Sequence, residues 1–278
     1  MKKIKLVASD LDGTLLTSSK EVTERLFSAL EKLTQKGIYF VPATGRVYNS
    51  LPKNVKDMPF LKYIITSNGA VIYDAEEKKT VAENYLTKEA VDKTLNIVKD
   101  IDLMIEIFTE GKAYTDKKFY YNLEKYGITG HSAEYVITTR TPVDDIFKKI
   151  EENNEKLENI NLIFFDNNVR AKTMNRLKEE NFASVTTSSH NNVEVTSKFA
   201  TKANAIKELC DILNIDKENV AALGDSDNDL DMIMFAGTGI AMENGDDHIK
   251  EAADIITKDC DEFGAALIIE QIAEKGEI

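Results

Sequence analysis

Residues 4–16 read IKLVASDLDGTLL, and this stretch decides the fold. It begins with a mostly apolar segment, Ile4–Ala8, which is interrupted only by Lys5 and has the length expected for a strand that is buried on both faces. Two carboxylates, Asp10 and Asp12, follow directly, and a glycine comes next where the chain can turn. The stretch therefore predicts a buried sheet strand with two acids at its carboxyl end.

Strands and helices alternate around this first strand. We predict further buried strands at Ile38–Val41, Tyr63–Ile65, Val220–Leu223, Ile240–Met242 and Ile255–Ile256. We predict helices at Val22–Gln35, Ala203–Leu213, Asp229–Phe235 and Glu262–Ala273. This alternation indicates an α/β fold with a doubly wound, Rossmann-like parallel sheet.

The middle of the chain has a different pattern, that of a mixed α+β module inserted into the sheet domain. Thr87 can cap a helix, Leu103–Phe108 and Lys112–Tyr114 read as a hairpin, and Thr141-Pro142 is expected to open another helix. Beyond these we expect a strand at Ile160–Phe165, a helix at Val169–Lys178, and strands at Ala183–Thr187 and Val193–Val195. The predicted domains are residues 1–83 with 191–278 for the core and 84–190 for the insertion.

The bulk properties exclude several classes of protein. The chain has 278 residues and a formal net charge of −13, which argues against nucleic-acid binding because such binding depends on Lys and Arg. No apolar run approaches the ~20 residues of a membrane span, and Ser9-Asp10 ends the first one too early for a signal peptide. Cys210 and Cys260 provide no disulfide framework, so we expect a cytoplasmic protein.

The histidines at positions 131, 190 and 248 show no metal-ligand spacing, so we expect them at the surface or in turns.

Polar residues stop four of the predicted strands. The four segments are Asp10–Thr14, Thr44–Arg46, Ser67–Gly69 and Gly224–Asp229. In open parallel sheets, ligands bind beyond the carboxyl ends of the strands. The four segments are therefore expected to meet in one crevice.

Each acid has a chemical use there. Asp10 can attack phosphorus and form an aspartyl-phosphate, and Asp12 can protonate the leaving alcohol and then activate water. Mg²⁺ prefers oxygen ligands, which Asp10, Asp225 and the backbone carbonyl of Asp12 can supply. Lys202 is our candidate for neutralising charge on the phosphoryl oxygens. A calcium loop starting at Asp225 is excluded, since Leu230 and Ala236 stand where it needs Gly and Glu.

These motifs resemble the haloacid dehalogenase superfamily, and specifically its Cof-type sugar-phosphatase branch. Asp10–Leu16 resembles the first motif, Thr44–Arg46 the second, Lys202 the third and Gly224–Asp229 the fourth, although the branch usually has glycine where this chain has Ala203. The resemblance implies that residues 84–190 form a cap that selects substrates and closes over the site, and that Asp229 supports the metal. The residues expected to bind substrate or phosphate are Leu11, Gly13, Thr44, Gly45, Arg46, Asn68, Lys202 and Asn228.

We therefore predict a magnesium-dependent hydrolase of small phosphorylated metabolites, with sugar phosphates, flavin mononucleotide and pyridoxal phosphate all reasonable substrates. The expected partners are such metabolites alone, with no nucleic acid and no membrane, and the expected state is a monomer or homodimer. A phosphomutase or other phosphotransferase on the same scaffold is the alternative enzyme. The third hypothesis is a regulatory or binding protein that keeps the fold but has no catalytic activity. The intact set of Asp10, Asp12, Thr44, Lys202 and Asp225 argues against it.

Overall fold

A computed structural model describes residues 3–187 and 189–278, without the side chain of His131. The chain divides into two compact units. The first contains the residues up to Arg46, Leu51–Glu83 and Thr201–Ile278, and the second contains Val47–Ser50 and Asn84–Ala200.

The strands and helices have the following bounds. The strands are β1 (Leu6–Ser9), β2 (Tyr39–Pro42), β3 (Tyr63–Thr66), β4 (Val71–Asp74), β5 (Lys79–Glu83), β6 (Leu103–Thr109), β7 (Lys112–Asp116), β8 (Arg140–Val143), β9 (Leu157–Phe164), β10 (Ser184–Thr186), β11 (Asn192–Thr196), β12 (Val220–Gly224), β13 (Thr238–Ala241) and β14 (Ile255–Ile256). The α-helices are α1 (Glu24–Gln35), α2 (Lys53–Lys56), α3 (Lys88–Val98), α4 (Lys117–Tyr120), α5 (Gly130–Thr139), α6 (Ile146–Glu152), α7 (Asn167–Glu180), α8 (Lys202–Leu213), α9 (Leu230–Phe235), α10 (Asp247–Ala252) and α11 (Gly264–Lys275). Between the described ends of the chain, no helix has the length and apolar character needed to cross a bilayer.

A five-stranded parallel sheet forms the first unit, in the order β14-β13-β12-β1-β2. The predicted α/β class and parallel sheet are confirmed. Ser9 at the end of β1 pairs with Leu223 on one side and Pro42 on the other, so three strands end at the same edge. Leu6 and Ala8 are fully buried, and α8 packs on this face through Ile206. Burial on both sides explains why the first three residues of β1, Leu6 to Ala8, are apolar.

The strand β3 lies outside that sheet. It forms a three-stranded antiparallel sheet with β4 and β5, two strands that the sequence analysis did not predict. A parallel bridge between Ala43 and Ile65, together with the Thr44 N–H donating to the Ile65 carbonyl at 3.0 Å, joins the end of β3 to the end of β2. The third polar segment therefore reaches the edge where the other segments end.

The second unit contains a six-stranded sheet in the order β10-β11-β9-β6-β7-β8. Residues of α3, α6 and α7 such as Val91, Ile150 and Leu177 share a buried cluster with the sheet residues Ile105 and Leu162. The predicted hairpin is the antiparallel pair of β6 and β7. The predicted cap of α3 is also confirmed, because the Thr87 hydroxyl accepts from the Ala90 N–H at 3.2 Å.

Two predictions about this unit are wrong. Thr141-Pro142 lies in β8, at the edge of the sheet, where a proline removes no hydrogen bond from a central ladder. The next helix begins instead at Ile146, after Asp145 caps it by accepting from two backbone N–H groups. The second boundary falls at residue 200 rather than 190, because β11 pairs with β9 and β10.

Candidate active site

Two of the predicted acids meet at the carboxyl edge of the parallel sheet. Asp10 follows β1 and is 5% exposed, and Asp225 follows the neighbouring strand β12. Carboxylate oxygens of Asp10, Asp225 and Asp229 all lie within 4.8 Å of one another. The fold therefore concentrates negative charge at one point, which could hold a divalent cation.

Lys202 compensates part of this charge. Its Nζ lies 2.5 Å from Asp10 Oδ1 and 2.7 Å from Asp229 Oδ1, and the side chain is fully buried. Thr201 caps α8, because its side chain accepts a hydrogen bond from the Asn204 N–H. This cap fixes the start of the helix, and Lys202 is its first residue. Burial opposes the charged amine, but Asp10 and Asp229 outweigh it and hold the pKa of Lys202 above its ordinary value. The lysine is therefore an ammonium group aimed at Asp10.

Asp229 supports the segment that carries Asp225. Its Oδ2 accepts from the backbone N–H groups of Asp225 at 3.0 Å and Ser226 at 3.1 Å, while its Oδ1 accepts from Lys202. Both oxygens are thus engaged by the protein. A Cβ at Gly224 would lie 2.4 Å from the Asp229 Cβ, so this close packing requires glycine.

The electrostatics of Asp10 and Asp225 fit a hard cation. Burial raises the pKa of Asp10 to about 7 although Lys202 opposes the shift, and Asp229 adds to it. Burial also raises the pKa of Asp225 to about 6, against the hydrogen bond that Thr14 Oγ1 donates to Asp225 Oδ1 at 2.7 Å. A Cβ at Gly13, where φ is +96°, would lie 2.6 Å from Asp225 Oδ2, so the absent side chain leaves that oxygen clear. An all-oxygen set with excess negative charge suits Mg²⁺.

Asp12 faces a different group of side chains. Arg46 binds it through both oxygens, with Nε donating to Oδ2 at 2.6 Å and Nη2 to Oδ1 at 2.7 Å. Lys20 Nζ lies 3.0 Å from Asp12 Oδ1. Partial burial acts to raise the pKa of Asp12, but the hydrogen bonds and charges of Arg46 and Lys20 hold it below its ordinary value. The Asp12 side chain therefore lies as a carboxylate between two cations.

The second, third and fourth polar segments contact one another. The Thr44 hydroxyl accepts from the Arg46 N–H at 3.2 Å, and the Thr44 carbonyl accepts from the Asn68 N–H at 3.0 Å. Asn228 Nδ2 donates to Asn68 Oδ1 at 3.0 Å, and a Cβ at Gly45 would lie 3.1 Å from that same oxygen. These contacts bring the predicted phosphate-binding residues of three segments together.

Leu11 is fully buried, so its backbone is the part of it that can meet a phosphate. Three contributors were missed by the sequence analysis: Thr14 on Asp225, Lys20 on Asp12, and Asn244, whose Nδ2 donates to the Gly13 carbonyl at 2.8 Å. Thr14 lies within the first motif, Asp10–Leu16, and its position there could have marked it as a site residue. No sequence spacing marked the other two.

His248 belongs to a second group of possible ligands, separate from the group of Asp10, Asp225 and Asp229. His248 Nε2 lies 2.6 Å from Asp227 Oδ1, and both residues are exposed, together with Asp246, in a group that could also hold an ion. That grouping was not predicted, because it joins α10 to the segment before α9. His190 is exposed, as expected for a turn, while the side chain of His131 lies outside what the structure describes.

Comparison with known proteins gives consistent results. A family model described as haloacid dehalogenase-like hydrolase matches residues 7–269. The phosphatase YwpJ of Bacillus subtilis is 30% identical, with 97% of this chain and 100% of the relative covered. The 5-amino-6-(5-phospho-D-ribitylamino)uracil phosphatase YcsE of Bacillus subtilis is also 30% identical, with coverages of 96% and 94%. The crystal structure of a haloacid dehalogenase-like hydrolase from Bacteroides thetaiotaomicron has a TM-score of 0.83 at 28% identity, covering 97% of this chain and all of that one.

Proposed function

This chain belongs to the haloacid dehalogenase-like hydrolases of the Cof type and is a phosphatase, and we propose that it hydrolyses small phosphate monoesters with Mg²⁺ through a phosphorylated Asp10. One observation carries the proposal. Asp10 is buried at the end of the interior strand β1, with Lys202 Nζ 2.5 Å from its Oδ1 and the Asp225 and Asp229 carboxylates within 4.8 Å. A buried carboxylate held by an ammonium group beside a cation site is suited to attack an anionic ester.

In the first half of the reaction, Asp10 attacks phosphorus. A bond forms between its carboxylate oxygen and phosphorus while the bond from phosphorus to the ester oxygen breaks. Asp12 gives its proton to the departing alcohol. Arg46 and Lys20 occupy both oxygens of Asp12 in the structure, so Oδ2 has to be released from Arg46 Nε before it can carry the proton, while Oδ1 stays bound to Lys20 and to Arg46 Nη2.

In the second half, water attacks the phosphorus of the aspartyl-phosphate. Asp12, now a carboxylate, takes the water proton, and the bond between phosphorus and Asp10 breaks. Free phosphate leaves, Asp10 is a carboxylate again and Asp12 is protonated again, so the cycle closes. Lys202 and the segment around Thr44 and Asn68 would neutralise and hold the phosphoryl oxygens.

We assign the metal to Asp10, Asp225 and the backbone carbonyl of Asp12, with Asp229 holding the Asp225 segment in place. Bound Mg²⁺ supplies positive charge that lets an anionic nucleophile approach an anionic phosphate. The proposed substrates are sugar phosphates or similar monoesters, which the name of the phosphatase YcsE, acting on a phosphoribityl compound, supports for this class of relative.

A phosphate-release panel of metabolite monoesters, run with and without Mg²⁺, tests the proposal. Asp10→Asn should abolish turnover and leave the fold intact, because the amide is not a nucleophile. Asp57→Asn is the matched control, since Asp57 is an exposed acid of the same unit that pairs with Lys53. More than a tenth of normal activity in Asp10→Asn would remove Asp10 as the nucleophile. Activity that needs a bisphosphate activator and releases no phosphate would identify a phosphomutase.

A further inference from the structure

Lys20 contacts Asp12 although no motif contains it. Its Nζ lies 3.0 Å from Asp12 Oδ1, the same oxygen that accepts from Arg46 Nη2 at 2.7 Å. The Lys20 side chain is about half exposed, so it reaches the carboxylate from the solvent side, while Arg46 is mostly buried. Two cations from separate segments thus fix one carboxylate.

The loop that carries Lys20 is closed by its own hydrogen bonds. The Lys20 N–H donates to the Thr17 carbonyl at 2.8 Å, and the Thr17 N–H donates to the Glu21 carbonyl at 3.1 Å. The Ser18 N–H donates to Asp261 Oδ1 at 2.8 Å, which ties the loop to the residues before α11. The loop therefore holds the lysine backbone at a defined place beside the first motif.

The backbone of Lys20 is strained. Its φ is +64°, in the left-handed region where glycine and asparagine are favoured and most side chains are costly. A residue in a sparsely populated conformation is a reason to look for a use of its side chain. Lys78 has the same conformation, with φ +54°, but is an exposed residue between β4 and β5. Of these two strained lysines, Lys20 is the one whose amine reaches the site.

We propose that Lys20 is a positioning residue that, with Arg46, sets the orientation of the Asp12 carboxylate for proton transfer. The inference rests on the proposed function, because it assumes that Asp12 moves the proton in both halves of the reaction. A carboxylate held by two cations keeps one orientation, and proton transfer requires the group to lie within hydrogen-bond reach of its partner. Loss of Lys20 should therefore impair the proton-transfer steps and leave binding of the ester unchanged.

The size of the effect follows from the exposure of the pair. An exposed ion pair contributes up to about 1 kcal/mol, which corresponds to about fivefold in a rate. A residue that binds phosphate instead would raise KM for every ester by the same factor. The two roles are therefore separable by kinetics.

Lys20→Gly is the decisive variant, because it removes the amine and relieves the backbone strain, so that the protein should be at least as stable as the parent. The probes are p-nitrophenyl phosphate, whose nitrophenolate leaves without a proton, and phenyl phosphate, whose phenol has a pKa near 10 like tyrosine and needs one. With p-nitrophenyl phosphate, we expect the first-turnover burst to be unchanged and the steady rate to fall about fivefold. With phenyl phosphate, the first turnover itself should fall about fivefold with KM unchanged, because both proton-transfer steps slow together. With p-nitrophenyl phosphate, KM should fall together with the steady rate, because only hydrolysis of the aspartyl-phosphate is slowed.

Lys78→Gly is the control, since it makes the same change at the same backbone conformation, and it should leave all these rates as in the parent. Lys20→Arg should restore them. Kinetics of Lys20→Gly that match those of Lys78→Gly, or a KM that rises equally for both esters, would overturn the inference. Failure of the proposed function is seen separately, as absence of Mg²⁺-dependent phosphate release in the parent protein or as activity in Asp10→Asn.

Discussion

Replacing Gly69 with alanine should damage the active site by pushing on the helix that carries Lys202. Gly69 has φ +99°, and a Cβ there would lie 2.2 Å from the Thr201 carbonyl oxygen and 2.6 Å from the Thr201 carbonyl carbon. These are backbone atoms, which no side-chain rotation can move aside. Since Thr201 caps α8 and Lys202 begins it, the clash should be relieved by moving the lysine away from Asp10.

The loss in the free energy of unfolding that we expect for Gly69→Ala has two parts, one conformational and one steric. An alanine in the left-handed region costs about 1–2 kcal/mol, and forcing a methyl group into filled space costs about 1–3 kcal/mol more. We therefore expect Gly69→Ala to lower the free energy of unfolding by about 2–5 kcal/mol. A displacement of Lys202 by about 1 Å should lower kcat on the order of 100-fold.

Gly37→Ala separates the two parts. Gly37 also has a positive φ, +77°, but its added Cβ would meet no atom within 4 Å. Gly37→Ala should therefore lower the free energy of unfolding only by the conformational part, about 1–2 kcal/mol, and the variant should keep full activity. Urea unfolding followed by circular dichroism, together with p-nitrophenyl phosphate kinetics, measures both quantities. Equal destabilisation by the two substitutions, with full activity in Gly69→Ala, would refute the argument that the strained turn positions the lysine.

Three further outcomes are expected. Lys202→Met leaves Asp10 and Asp229 buried without their cation, so it should lower the free energy of unfolding by about 3–5 kcal/mol in urea titrations, and an unchanged unfolding curve would contradict the buried triad. Burial raises the pKa values of Cys210 and Cys260 to about 11 from 9.0, so both thiols should be protonated at pH 8 and react slowly with a thiol reagent, with rates that rise towards pH 11 and are far higher in urea. Saturating Mg²⁺, at about 100 times its Kd, should stabilise the folded protein by about 2.7 kcal/mol in thermal melts, and Asp225→Asn should remove most of that gain.

Much of the fold follows from local sequence chemistry. An apolar run that ends in polar residues marks β1, and the same signal marks β2 and β12, because a strand buried on both faces is apolar until it reaches the edge of the sheet. The cap of α3 by Thr87 was readable because a threonine hydroxyl satisfies a free N–H at any helix start. The hairpin β4–β5 was not readable, since Lys79–Glu83 is half polar and exposed. A proline after a threonine is typical of a helix start, so the sequence around Pro142 predicts a helix. Only the tertiary structure shows that Pro142 lies in a strand at the edge of a sheet.

The sequence by itself determined which strand ends meet, because the strand ends with Asp10, Thr44 and Asp225 must come together wherever parallel strands share an edge. Only the tertiary structure decided how those groups pair. It placed Lys202 between Asp10 and Asp229, and it paired Asp12 with Arg46 and Lys20. Side-chain pairing depends on distances between segments that lie far apart in the chain, and these distances are set by packing rather than by local pattern.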